Sequence, residues 1–133
     1  MRRGVKQGGI VVVRESASLT WYPEPEGINA WRVVGDRMGR AKGGNPHPGR
    51  FIHVWAEEAG FPRSNIKKSA DSWCFSDQDE RKYWGGSMEE RARSSGFAEG
   101  FASQEVLENI AMGWRASMED DNAWFGLLPK EIL

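Results

Sequence analysis

The chain has 133 residues, 39% of them hydrophobic, and its 18 basic and 19 acidic residues leave a formal charge of −1. That length suits one α/β domain, since chains near 150 residues bury roughly 70% of their unfolded surface; the balanced charge lacks the footprint that selects nucleic acid or an anionic membrane. One cysteine, Cys74, excludes an internal disulfide, and the apolar run after Met1-Arg2-Arg3 is confined to Ile10–Val13, too short for a signal peptide or a membrane span, so the expected setting is reducing and cytoplasmic.

The first element expected is a strand near residues 9–15, Gly9-Ile10-Val11-Val12-Val13-Arg14-Glu15. A run of four β-branched residues suits a strand covered on both faces, the usual state inside a parallel sheet. From Glu15 to Gly27 the prolines at 23 and 25 favour a loop. Ile28, Trp31, Val34 and Met38 then fall at helical spacing, with Arg37 and Arg40 in the last turn where cations suit the macrodipole. Gly43 to Gly49 breaks the chain. A short helix follows over Arg50–Ala59, with Phe51, Val54 and Trp55 on one side and Gly60 as its stop. Asn65–Phe75 alternates as an outer strand whose lysines discourage pairing with other chains. Ser76 is the expected N-cap of an acidic-start helix reaching about Arg93, weakened or bent at Gly85-Gly86. Ser103 caps the most amphipathic helix, with Leu107, Ile110, Trp114 and Met118 on one stripe, and a final strand spans about 123–132, interrupted at Pro129-Lys130.

No chemistry-bearing motif dominates. The sixteen glycines include no GxGxxG or GxxxxGK[ST] spacing, and the glycines of 35–49 follow a helix instead of a strand, so they read as a turn. His47 and His53 have no carboxylate at metal-ligand spacing, and no metal site is expected. Cys74 reads as a buried, inert thiol. Glu15, at a strand end, is a candidate for a pocket because open α/β sheets place ligands there; loop hydrogen bonding or solvent is the alternative. Arg50 opens a helix, electrostatically misplaced unless it meets a carboxylate or a ligand; otherwise it is a solvated arginine. Seven scattered tryptophans, Trp21 and Trp84 among them, serve either core packing or the wall of an apolar pocket.

Several segments together resemble a known family: Gln7–Glu15, Trp55-Ala56-Glu57-Glu58-Ala59-Gly60-Phe61, Ser72-Trp73-Cys74-Phe75-Ser76, Trp84-Gly85-Gly86, and Trp114-Arg115-Ala116 with Asp121-Asn122-Ala123-Trp124-Phe125-Gly126. In this order they are similar to the C-terminal half of class I S-adenosylmethionine-dependent methyltransferases of the ubiquinone/menaquinone-biosynthesis-like group, notably the microbial and fungal small-molecule members. The resemblance covers nearly the whole chain. It implies a partial Rossmann-like fold in which strands near 9–15, 65–75 and 123–132 are the fifth, sixth and seventh of the family's sheet, joined by about four helices. The seventh would lie antiparallel between the other two, making a three-stranded mixed sheet edge and leaving the Val11 strand with an open side.

The same resemblance implies a single, incomplete domain over 1–133. The glycine-rich cofactor loop and the acidic residue that holds the ribose hydroxyls have no counterpart here, so no cofactor-binding residue is assigned and S-adenosylmethionine enters by family resemblance only. The implied activity is methyl transfer to a small-molecule acceptor, inactive in this chain alone, with Glu15, Trp21, Arg50 and Trp84 as the candidate substrate-binding residues. A complementary methyltransferase half or self-association through the open edge are the expected partners, with neither nucleic acid nor membrane. Two rivals stay open: a non-catalytic interaction module, and a gene remnant in which Met1 is internal to a longer frame.

Overall fold

The computed structural model describes Lys6, residues 8–94 and residues 96–132. In chain order the elements are β1 (Val13–Tyr22), α1 (Glu26–Ala41), a 3-10 turn at Pro48–Arg50, α2 (Ile52–Glu58), a second such turn at Arg63–Asn65, β2 (Lys68–Ala70), β3 (Trp73–Phe75), α3 (Gln78–Arg93), α4 (Gln104–Glu119) and β4 (Trp124–Ile132). The four strands form a sheet in the order β1-β4-β2, with β3 also paired to β4. β2 runs antiparallel to β4, Lys68 facing Ile132, Ser69 facing Glu131 and Ala70 facing Lys130. The last strand thus lies between the first and β2, in the order implied by the resemblance.

The strands differ from the sequence-based expectation in three places. The first strand begins at Val13, not Gly9, and continues to Tyr22, through the segment expected to be loop. Ile10 and Val12 are 78% and 60% exposed, so this run is not covered on both faces. Both outcomes follow from β1 standing at one end of the strand order: no described strand flanks the Val11 side, while Leu19-Thr20-Trp21-Tyr22 has the β-branched and aromatic composition that suits a pleated surface, with Trp21 turned inward between exposed neighbours. The expected strand at 65–75 is two strands of three residues, which makes four strands where three are expected. The Asp71 carboxylate accepts a hydrogen bond from the Ser72 N–H at 2.8 Å, a local bond that competes with ladder pairing and divides the strand. Cys74, expected to be buried, is exposed on the short β3. Finally, β4 is continuous past Pro129, pairing with β2 from Lys130 onward.

Two compact units divide the described chain. The second, Thr20–Pro46 with Cys74–Phe125, contains α1, α3 and α4. α3 starts one residue later than expected: Asp77, not Ser76, accepts from the Glu80 N–H, while the Glu80 carboxylate accepts back from the Asp77 N–H. This reciprocal capping box satisfies donors that the first helical turn leaves orphaned. Ser103 caps α4 as expected, accepting from the Val106 N–H. α3 runs unbroken through Gly85-Gly86. There the missing side chain lets the helix approach α4, because a Cβ at Gly85 would strike the Met118 side chain. α1 and α4 cross in the same manner, with a Cβ at Gly113 lying 3.0 Å from the Gly27 Cα.

Aromatic rings fill this unit. The Phe125 ring lies 5.6 Å from Trp114, 6.0 Å from Trp84, 6.4 Å from Trp31 and 6.5 Å from both Trp21 and Phe75. Four of the seven tryptophans are therefore packing residues brought together from four different elements. Along one flank, Glu89 receives Arg93 at 3.2 Å and Arg115 at 2.8 Å, and Arg93 also reaches Glu108. Hydrogen bonding to Glu108, then to Glu89, raises the Arg93 guanidinium above its ordinary range. Among the described residues, no helix is long and apolar enough to cross a membrane, and no group of three or more His, Cys, Asp or Glu could hold a metal ion.

Candidate functional site

The first unit takes the described residues up to Leu19, then His47–Trp73 and the chain from Gly126. Its centre is the contact between β1 and the turn that opens α2. Gly49 is buried, and a Cβ there would come 2.6 Å from the Glu15 carbonyl oxygen and 2.7 Å from the Ala17 nitrogen. Only glycine allows this approach. Arg50 adds a second tie, its Nε donating to the Ala17 carbonyl at 2.9 Å. The arginine that looked misplaced at a helix start is thus occupied by β1 backbone.

α2 leaves this contact with Ile52 as its buried residue, at 5% exposure; Phe51, Val54 and Trp55, expected to form its packing face, are 43%, 40% and 42% exposed. The Gly49 contact sets the helix rotation, so the buried face is decided by tertiary approach and not by the apolar count. The helix closes with Gly60 at φ +87°, its N–H donating to the Glu57 carbonyl and the Phe61 N–H to Ala56. That double bond is a Schellman closure, which requires a left-handed residue after the helix and folds the next apolar side chain back over the last turn. Phe61 is delivered by it. The turn at Arg63–Asn65, closed by Asn65 N–H to the Pro62 carbonyl, then returns Asn65 and Ile66 toward the same side.

Between the segment leading into β1 and α2 lies a cleft of about 330 Å³, lined by Gly9, Ile10, Val11, Val13, Glu15, Pro48, Ile52, Trp55, Ala56, Ala59, Phe61, Asn65 and Ile66. Its size falls at the lower end of small-molecule sites. Eleven of the thirteen lining residues are apolar or glycine; Glu15 is charged and Asn65 is a carboxamide. Among the described residues, no ion pair or side-chain hydrogen bond engages the Glu15 carboxylate, while Asn65 Oδ1 accepts from Ser64 Oγ at 3.3 Å. On the neighbouring position of β1 the Arg14 guanidinium lies 5.2 Å above the Trp73 ring. Among the described residues, the lining contains no Ser, Thr, Cys or His. What it offers chemically is an apolar slot with one acceptor carboxylate and one amide.

Of the residues singled out in the sequence, Glu15 lines this cleft and Arg50 fixes its wall without lining it. Trp21 and Trp84 belong to the second unit. There Trp21 is buried at 8% exposure and Trp84 packs between Phe75 and Tyr83 at 5.2 and 5.7 Å. Gly49, Ile52, Phe61, Asn65 and Ile66 were not anticipated as site residues. The Gly60-Phe61 pair carried a usable signal, since an apolar residue after a C-terminal glycine commonly folds back on its helix; the role of Gly49 is invisible without its neighbours in space.

No family model matches the chain. It is 27% identical over 138 residues to a Schizosaccharomyces pombe protein described as an uncharacterized methyltransferase. The match takes in 100% of this chain and 49% of the yeast protein, so the chain spans about half the length of the curated relative it matches.

Proposed function

We propose that this chain is the acceptor-side, C-terminal half of a class I S-adenosylmethionine-dependent methyltransferase, Rossmann-like in its complete form, that methylates a small molecule and is inactive until a complementary half joins it. The observation that carries this reading is the likeness to the yeast methyltransferase along the entire chain but only half of its relative. The strand order, with β4 between β1 and β2, supports it.

S-adenosylmethionine presents an ammonium, a carboxylate, a sulfonium, ribose hydroxyls and an adenine, each needing its own polar partner. The cleft supplies Glu15 and Asn65. The described residues therefore do not make a cofactor site by themselves, and the residues to be accounted for in this chain are those that hold the acceptor. The rigid wall made by Gly49 and Arg50 suits that role, since methyl transfer depends chiefly on holding two reactants in line in a dry site. In this reading Glu15, which lines the cleft, orients the acceptor or takes up its proton.

Calorimetric titration with S-adenosylmethionine tests the proposal, after light scattering has given the mass in solution. A folded chain alone should give no saturable heat, whereas a chimera carrying this chain in place of the matched half of the yeast protein should bind. Saturable binding by the monomeric chain would overturn the half-domain reading, and a folded chimera that fails to bind would overturn the methyltransferase reading. A non-catalytic interaction module is the second reading, favoured by β1 at the end of the strand order and by the exposed Ile10 and Val12 beside it. A stable oligomer without cofactor binding would favour it.

A further inference from the structure

We infer that the cleft of the first unit binds a flat apolar amine, its ring system lying along Trp55 and Ile52 and its ammonium meeting the Glu15 carboxylate. Three observations lead there. First, among the described residues Glu15 is the single charged residue in the lining, and it has neither an ion pair nor a side-chain hydrogen-bond partner. Glu15 is itself exposed, so its carboxylate keeps water on its open side. A neutral hydrocarbon in the slot gains nothing from it, a carboxylate meets repulsion, and an ammonium adds a charge-assisted hydrogen bond. Second, the nearby arginine does not take the ligand's place: Arg50 donates its Nε to the Ala17 carbonyl and lies outside the lining. Third, the α2 wall is tied before any ligand arrives, by the backbone approach at Gly49 and by the double hydrogen bond at Gly60 and Phe61, which lowers the ordering cost on that side.

Size agrees with this assignment. A slot of about 330 Å³ accepts one or two fused rings with a short arm, not a peptide or a lipid tail with its headgroup. Asn65, whose Oδ1 accepts from Ser64, retains its amide N–H groups for an ether or carbonyl on the far side of the same ligand. That the amine is a methyl acceptor rests on the function proposed above; that the cleft selects an amine does not.

The test uses three probes of one shape on the full chain: 2-naphthylmethylamine, 2-methylnaphthalene and 2-naphthoate. Binding is followed by backbone and side-chain amide shifts, with circular dichroism as the check on folding. The amine should bind about threefold tighter than the neutral probe, and the carboxylate weakest, the spread expected for an ion pair at an exposed carboxylate. Shifts should concentrate at Glu15, Ala56, Asn65 and Ile66. Glu15→Gln should bring the amine down to the neutral probe's affinity, while Trp55→Ala weakens all three.

Equal affinities for the three probes, an unchanged amine affinity in Glu15→Gln, or no binding by the folded chain would overturn the inference. So would a stable dimer that protects Ile10–Val13, because a second copy would then fill the slot. Amine selectivity with a chimera that does not bind S-adenosylmethionine would remove the methyl-transfer reading and keep the site; the converse would keep the reading and remove the site.

Discussion

The two units divide their apolar residues very unequally. Among the described residues, eleven of the twelve buried apolar side chains belong to the second unit and only Ile52 to the first. The first instead exposes seven large apolar residues, Ile10, Val12, Phe51, Val54, Trp55, Trp73 and Leu128, against four in the second. The second unit is closed by a ring cluster around Phe125 in which, among the described residues, the buried Trp21 and Trp114 indole N–H groups find no hydrogen-bond partner, a cost of about 1–3 kcal/mol each that burial of their large rings must exceed. The first is organised by backbone contacts, at Gly49 and at the Gly60 closure, around a slot that stays open. Apolar surface in a closed core holds a fold together, whereas the same surface left around a cleft or at a sheet edge is available to something else.

The largest effect that would break this contrast is loss of the ring hub. Phe125→Ala should lower stability by about 3–5 kcal/mol, the range for emptying a buried aromatic site, read as a shift in the urea midpoint with near-ultraviolet dichroism lost. A loss under about 1 kcal/mol would mean that the second unit is not held by its rings. Next, Gly49→Val places a side chain against β1 backbone and should cost about 1–3 kcal/mol. Its signature is faster amide exchange at Glu15–Ala17 and loss of probe binding, with the Phe125 neighbourhood unchanged. If probe binding survives, the wall of the cleft is not set at Gly49.

Smaller changes sharpen the comparison. Asp77→Ala removes the cap of α3 and should cost about 1 kcal/mol, most visible as increased exchange over the first turn, at Asp79 and Glu80; unchanged exchange there would make the capping box dispensable. Trp55→Ala should move stability by no more than about 0.5 kcal/mol, as for surface positions, while weakening every ligand of the cleft. A tryptophan that matters for binding and not for folding would set the first unit apart from the second, where each clustered tryptophan matters for folding.

Local features of this protein were legible in its residues because they obey local rules. Helical spacing of Ile28, Trp31, Val34 and Met38 located α1, the serine at 103 located the start of α4, and Gly60 located the end of α2, since each rests on contacts within a few residues. The order of the strands, with β4 between β1 and β2, agrees with what the resemblance implies. What the residues did not determine depends on neighbours far along the chain. Val11 and Val12 have strand chemistry but, among the described residues, no partner strand on that side, and β1 starts at Val13; Asp71 withdraws a backbone N–H from the ladder, so one expected strand became two. Gly49 meets Glu15 and Ala17, more than thirty residues away, at the start of α2; Glu15 lines an apolar slot there, while Trp21 and Trp84 join the ring cluster of the second unit. Composition can say that a side chain wants burial or a partner; only the fold, by bringing distant segments into contact, decides which side chains receive one and which are left for a ligand.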